Sequence, residues 1–217
     1  MNTGGIATTN CFLVADEAAK LAVLFDAPDH TTAPLLDEAS RRGWDVIGLW
    51  LTHGHFDHVA DHFEVVRRFP DAQVLIHRLD EPKLLRPNSS LSMPLPFTIT
   101  PRRPDGYVED GQKLTIGSLR VEVMHTPGHA PGHVMYHFPD EKLLVGGDLI
   151  IAGAVGRTDF TDSSPAALYG SIRRVMQLPP ETRLLPGHGD VGTLADELET
   201  NSYVRAVMGI EGGEPYG

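Results

Sequence analysis

The sequence predicts a single domain that mixes strands and helices, and three observations carry that reading. First, β-branched apolar stretches alternate along the chain with stretches whose apolar residues recur at helical period. Second, 217 residues with 41% hydrophobic and 22% charged content suit one substantial core of the ordinary globular kind. Third, four apolar stretches end in glycine-containing turns bearing histidine or aspartate: LWLTHGHFDH, VEVMHTPGH, LLVGGD and RLLPGHG. The domain is expected to span 1–217, with a frayed tail from about 210 in EGGEPYG.

The elements follow in order. CFLVAD (11–16) and KLAVLFDA (20–27) read as two strands joined by a short turn. APLLDEASRRG (33–43) has apolar residues at helical spacing, with Thr32 placed to cap it and Gly43 to stop it. DVIGLWLT (45–52) is a buried strand that runs into the histidine cluster, HVADHFEVVRRF (58–69) returns to helical period, and AQVLIH (72–77) is the next strand. Residues 81–111 carry six prolines and little periodicity, so they read as a long loop and a candidate substrate lid, with Arg86, Arg102 and Arg103 as its cations. KLTIGSLRVEVMHT (113–126), HVMYHF (133–138) and KLLVGGDLI (142–150) read as strands, and SPAALYGSIRRVMQL (164–178) as a helix. TRLLPGHG (182–189) is a final strand and turn, and TLADELETN a final helix. No internal repeat of fixed period is present.

Composition narrows the function classes. No apolar run reaches the ~18 residues of a membrane-spanning helix, so a membrane protein is not expected. The N-terminus MNTGGIATTN has neither the basic start nor the apolar stretch of a secretory signal, and the single Cys11 has no partner for an internal disulfide. A reducing, cytoplasmic location is expected. A formal net charge of −11 repels a phosphate backbone, so nucleic acid is not an expected partner. A small-molecule substrate is, and the oligomeric state stays open.

The stretch LTHGHFDHV (51–59) demands a chemical reason, because polar side chains crowded at the end of a buried strand gain nothing from packing. Burying such groups without partners costs ~1–3 kcal/mol each. Imidazole and carboxylate are the usual ligands of zinc and also suit iron and manganese. His53 and His55 can share one ion, and Asp57 and His58, displaced along the chain, can serve a second. His129, Asp148 and His188 are the candidates to complete the two sets, with Asp148 able to bridge through its two oxygens. Nothing is expected of His30, His62 and His77, whereas His125, His133 and His137 read as supporting or packing residues.

Taken together, THGHFDH, TPGH, GGD and PGHG resemble the metallo-β-lactamase-fold hydrolases, in particular their glyoxalase II-like branch, the hydroxyacylglutathione hydrolases. The resemblance runs from about residue 5 to about 200, with the motifs in family order. It implies an α+β fold, a four-layer αββα sandwich of two mixed sheets with helices outside. It implies that His53, His55 and His129 hold a first metal, that Asp57, His58 and His188 hold a second, and that Asp148 bridges. Two divalent ions follow, zinc first, with iron or manganese suiting the same donors. GRTDF (156–160) resembles the segment after the bridging aspartate in short glyoxalase II-like enzymes and in persulfide dioxygenases, both of which handle glutathione derivatives. Arg157 is therefore a candidate to hold a substrate carboxylate, or else to pair with Asp159 and fix its loop.

The reaction so implied is thioester hydrolysis, with S-2-hydroxyacylglutathione as substrate and S-lactoylglutathione its type. Two ions lower the pKa of a bridging water toward ~7, so that hydroxide attacks the acyl carbon, and they take up the charge that develops there. Asp57 and Asp148 are the expected catalytic residues, Asp57 orienting the attacking water. A mononuclear-iron persulfide dioxygenase is the alternative, although its last motif typically reads PAHDY where PGHGD stands here. A lactonase or other ester hydrolase on the same dinuclear site is a further one. The C-terminal helical domain that carries much of the glutathione contact in longer relatives is not expected within these residues. The 81–111 stretch is a candidate to substitute for it or to select another acyl donor, or else is a solvated basic turn.

Overall fold

The computed structural model describes residues 1–87 and 94–210. Two six-stranded mixed sheets stand face to face with helices on both outer sides, giving the α+β sandwich of four layers. The first sheet runs β1 (Asn2–Gly4), β2 (Thr9–Asp16), β3 (Leu21–Phe25), β4 (Asp45–Trp50), β5 (Gln73–His77), β6 (Gly106–Val108). From β1 to β3 neighbours are antiparallel, and from β3 to β6 they are parallel. The helices α1 (Thr32–Arg42), α2 (Phe56–Val59) and α3 (His62–Arg68) form the crossovers, and α4 (Glu81–Leu85) follows β5. The second half supplies β7 (Lys113–Ile116), β8 (Leu119–His125), β9 (Val134–Phe138) and β10 (Leu143–Gly147), then a hairpin of β11 (Ile150–Ile151) and β12 (Ala154–Val155). After α5 (Pro165–Val175) come β13 (Arg183–Pro186), β14 (Gly192–Thr193), α6 (Leu194–Thr200) and α7 (Ser202–Val207). The second sheet is ordered β14-β13-β10-β9-β8-β7.

Period-two alternation builds the layers. In β3, Ala22 and Leu24 face outward to Leu35, Leu36 and Ala39 of α1, while Val23 and Phe25 face the opposite sheet. In β9, Val134, Tyr136 and Phe138 face inward and Met135 outward, against Leu168 and Ile172 of α5. The Phe25 ring is the hub of the inner layer, with centroids 5.6 Å from Trp50, 5.1 Å from Tyr136 and 6.0 Å from Phe138. Tyr136 donates its buried hydroxyl to the Leu51 carbonyl at 3.0 Å, so the aromatic cluster contains no stranded polar group there.

Three sequence expectations need correction. The helix over 58–69 is two helices, α2 and α3, because the chain breaks at Ala60–Asp61, where the Asp61 amide donates to the Ala27 carbonyl at 2.8 Å. That break also explains the second difference. Thr32 is not the cap of α1; Thr31 holds that position without a side-chain cap bond, and the Asp61 carboxylate accepts from both Thr31 N–H (3.2 Å) and Thr32 N–H (3.4 Å). Third, the 81–111 stretch is not a structureless lid. It opens with α4 and closes with β6, and Ile99 is buried against the outer core with Leu95 and Phe97 beside it. Arg102 pairs with Asp105 of the same stretch. Apolar residues at alternating positions pull the segment onto the helical layer. Residues 88–93 of that stretch, and 211–217 of the expected tail, lie outside the described residues. No helix among the described residues is long and apolar enough to cross a membrane.

Because Phe25 is fully buried at the centre of the inner layer, Phe25→Ala is expected to cost ~3–5 kcal/mol of stability. The check is a denaturant midpoint that falls while the slope of the transition stays unchanged.

Candidate metal centre

Four strands deliver the polar cluster to one edge of the sandwich. β4 leads into His53 and His55, with Asp57 and His58 on the first turn of α2; β8 leads into the turn carrying His129; β10 ends at Asp148; and β13 leads into His188. The seven side chains meet. Their ligand-type atoms fall into three groups, His53–His55–His129, His53–His58–Asp148 and Asp57–His58–His188, each with its atoms within 4.8 Å of one another. A bridge between Thr9 and His188 ties the two sheets beside them.

Hydrogen bonds fix which face of each ring is offered. Asp26, at the end of β3, accepts from Thr52 N–H and Thr52 Oγ1, both at 2.8 Å, and from His58 Nδ1 at 2.8 Å. With its proton given to Asp26, Thr52 Oγ1 accepts from His53 Nδ1 at 3.0 Å. One carboxylate thus holds His58 Nδ1 directly and His53 Nδ1 through Thr52, and turns both Nε2 atoms inward. Those two Nε2 atoms, and Asp148 Oδ1, are buried without a hydrogen-bond partner among the described residues. His129 donates Nδ1–H to the Arg157 carbonyl at 2.9 Å, which points its Nε2 at His55 Nδ1, 2.8 Å away. Asp57 Oδ2 accepts from Thr9 Oγ1 at 2.8 Å. His133 lies behind, accepting the Asp148 N–H at 2.9 Å on Nε2 and donating Nδ1–H to Thr126 Oγ1. Buried nitrogen and oxygen lone pairs aimed at common points, with nothing to receive them, are what divalent cations require. The donor set fits such ions.

Charge distribution agrees. Burial holds His53 well below the usual imidazole range and brings His55 and His133 down to about 3, so these rings are neutral, the form that ligates. Burial also opposes charge on His58, but Asp148, Asp57 and Asp26 outweigh it and raise that ring. His188 likewise overcomes burial through hydrogen bonds to Asp148 and Asp57 and rises to about 10. The carboxylates respond in kind: burial would raise Asp57 and Asp148, yet His58 and His188 bring Asp57 to about 2 and hold Asp148 well below its ordinary value. Two buried carboxylates here call for positive charge. Close packing enforces the arrangement, since a Cβ at Gly187 would strike Asp148 Oδ1 and lie 2.9 Å from His58 Cε1.

A cleft of about 740 Å³ opens over the cluster. Its walls include the apolar Ala7, Phe56, Ile151 and Phe160 and the charged Lys83, Arg157, Asp159 and Asp162. Of the described residues of the 81–111 stretch only Lys83 lines the cleft, which leaves Arg86, Arg102 and Arg103 off the wall. Arg157 does line it, with its guanidinium paired to Asp159 at 2.8 and 2.6 Å and lying 4.8 Å over the Phe160 ring. Of the other histidines, His62 donates to the Val59 carbonyl, and His77 stacks on His125 with centroids 4.2 Å apart. His30, His62, His77, His125 and His137 stay out of the three groups. Sequence reasoning missed Asp26, Thr9 and Asp80. Asp26 carried a faint signal, since LFDA is another apolar strand ending in a carboxylate; Thr9 and Asp80 carried none.

Comparison with known proteins points the same way. The metallo-beta-lactamase superfamily profile matches residues 4–188. The hydroxyacylglutathione hydrolase of Maricaulis maris is 32% identical over 177 residues, 82% of this chain, and the match spans 60% of that protein's length. The crystal structure of BLEG-1 B3 metallo-beta-lactamase superposes with a TM-score of 0.84 at 29% identity, covering 94% of this chain and 98% of the other. TTHA1623 in a di-iron-bound form superposes with a TM-score of 0.74 at 36% identity, covering 92% and 96%.

Because Asp26 orients one histidine of each ion set, Asp26→Asn, which presents an amide N–H₂ to His58 Nδ1 or to Thr52, is expected to weaken divalent metal binding 10–100-fold. Competition against a chromophoric chelator measures it.

Proposed function

The chain belongs to the metallo-β-lactamase superfamily and is a metallo-hydrolase, and we propose that it cleaves a thioester, S-2-hydroxyacylglutathione such as S-lactoylglutathione, to a hydroxy acid and glutathione. The observation that carries this reading is that His53–His55–His129 and Asp57–His58–His188 share no residue, so each can hold its own divalent ion while Asp148 stands between them. A single-iron site would leave the second group idle. When bound, two such ions supply Lewis acidity, lowering the pKa of water toward ~7 and polarising a carbonyl. Imidazole and carboxylate donors suit zinc, and the di-iron form of TTHA1623 makes iron the first alternative.

The chain's own residues do the rest. Thr9 Oγ1 holds Asp57 Oδ2, which leaves Oδ1 to orient the attacking water and accept its proton. Water adds to the acyl carbon and the C–S bond breaks. The thiolate leaves readily and takes up a proton, so no dedicated acid is needed. Phe56, Ile151 and Phe160 exclude water from the cleft, and Arg157 turns from Asp159 to the substrate's carboxylate. That exchange costs little, because an exposed ion pair is worth ~0–1 kcal/mol. The Maricaulis relative's name supports glutathione as the carrier.

The test joins metal analysis of the purified protein to assays with S-lactoylglutathione and with glutathione persulfide. Two divalent ions per chain with thioester cleavage are expected; one iron with oxygen consumption on the persulfide would overturn the reading. In the same assay Asp57→Asn, with metal retained, is expected to lower kcat at least ~100-fold while KM changes little.

A further inference from the structure

We propose that Asp80 is a positioning residue that locks the loop carrying His55 to the loop carrying His129 and so sets the geometry of the first ion set alone. The inference rests on the metal-centre reading above. Asp80 ends the helical turn Arg78–Asp80 and is fully buried. Its Oδ2 accepts the Gly54 N–H at 2.8 Å, and its Oδ1 accepts the Gly132 N–H at 2.8 Å. Gly54 stands between His53 and His55, whereas Gly132 closes the tight turn that presents His129, where Thr126 N–H meets the His133 carbonyl at 2.9 Å. Lys83 Nζ, 3.2 Å from Oδ1, supplies the countercharge and is itself held by Asp162 at 2.6 Å.

These contacts cross the sandwich. The Gly54 loop leaves β4 of the first sheet and the Gly132 loop leaves β8 of the second, so one carboxylate spans strands that share no ladder. Besides the His55–His129 contact, a backbone link from Val134 N–H to the Thr52 carbonyl at 2.8 Å engages the first loop upstream of His53. Shape repeats what the hydrogen bonds say. A Cβ at Gly132 would lie 2.7 Å from Asp80 N and 2.8 Å from its Oδ1, and a Cβ at Gly54 would lie 2.8 Å from Lys83 Cβ and 2.9 Å from the Asp80 carbonyl. Residues 80 and 83 occupy the space that side chains at both glycines would need. Two N–H donors converge on two oxygens, a demand that an amide cannot meet, because its N–H₂ would face one of them. The Asp57–His58–His188 set has its own supports in Thr9 and Asp26, whereas the Asp80 carboxylate bonds to Gly54, Gly132 and Lys83.

Selectivity makes this testable with Zn²⁺ alone, titrated into metal-freed protein against a chromophoric chelator. A His188→Ala background breaks the Asp57–His58–His188 set and keeps the His53–His55–His129 set, a His129→Ala background does the reverse, and the His53–His58–Asp148 group is common to both. Adding Asp80→Asn is expected to weaken zinc 10–100-fold in the first background and leave the second unchanged. Gly132→Ala, which drives a Cβ into Asp80 without touching a ligand, is expected to reproduce the selective loss. Unchanged affinity in the first background, or equal losses in both, overturns the role of Asp80 while leaving the metal centre standing. If neither background binds zinc before Asp80 is altered, the metal-centre reading falls and this proposal with it.

Discussion

Everything at this edge of the molecule depends on one electrostatic constraint: Asp57 and Asp148 are both buried, both ionised, and both within 3.5 Å of the same His58 nitrogen. Like charges brought that close in a medium of low polarity are tolerated only if positive charge is held between them. His58 and His188, both raised by these carboxylates, meet that demand with protons that an incoming cation can displace. Among the described residues no lysine or arginine forms an ion pair with either carboxylate; imidazoles surround them instead, and Asp26 holds His58, and through Thr52 His53, with Nε2 facing the centre. A buried guanidinium would have neutralised the cluster permanently. Imidazoles can give up their protons to an incoming ion, which leaves the neutralisation to something that can also do chemistry.

The two sheets matter because they hold this arrangement still. Each ligand sits at or just beyond a strand end, where the backbone is fixed by ladder hydrogen bonds on one side and free to turn on the other. The inner aromatic layer around Phe25 sets the spacing between the sheets, and with it the distance between ligands that come from opposite halves. Rigidity at the centre contrasts with the cleft above it. There Arg157 and Asp159 are exposed and paired to each other, an arrangement that a carboxylate-bearing ligand can rearrange at small cost.

Much of this was legible in the order of residues. Alternation in LAVLF and VMYHF announced both faces of buried strands, and the polar crowd in THGHFDH marked the edge where the candidate ligand groups gather. Local spacing carries such signals because the interacting residues are neighbours. What the sequence concealed depends on partners far along the chain. The break between α2 and α3 follows from Asp61 reaching Ala27 and the start of α1, which no periodicity over 58–69 could disclose. The stretch 81–111 reads as a loop because proline hides its order, yet Leu95, Phe97 and Ile99 fasten it to a layer formed by residues before position 77. Asp26 and Asp80 look like ordinary strand-end and helix-start aspartates until Thr52, His58, Gly54 and Gly132 are brought beside them.

Each of the three ligand groups draws on both halves of the chain: His53, His55, Asp57 and His58 precede the midpoint, and His129, Asp148 and His188 follow it. None of the groups can therefore close until segments far apart in sequence have folded together. A cation seated there would rivet the early half of these residues to the late one.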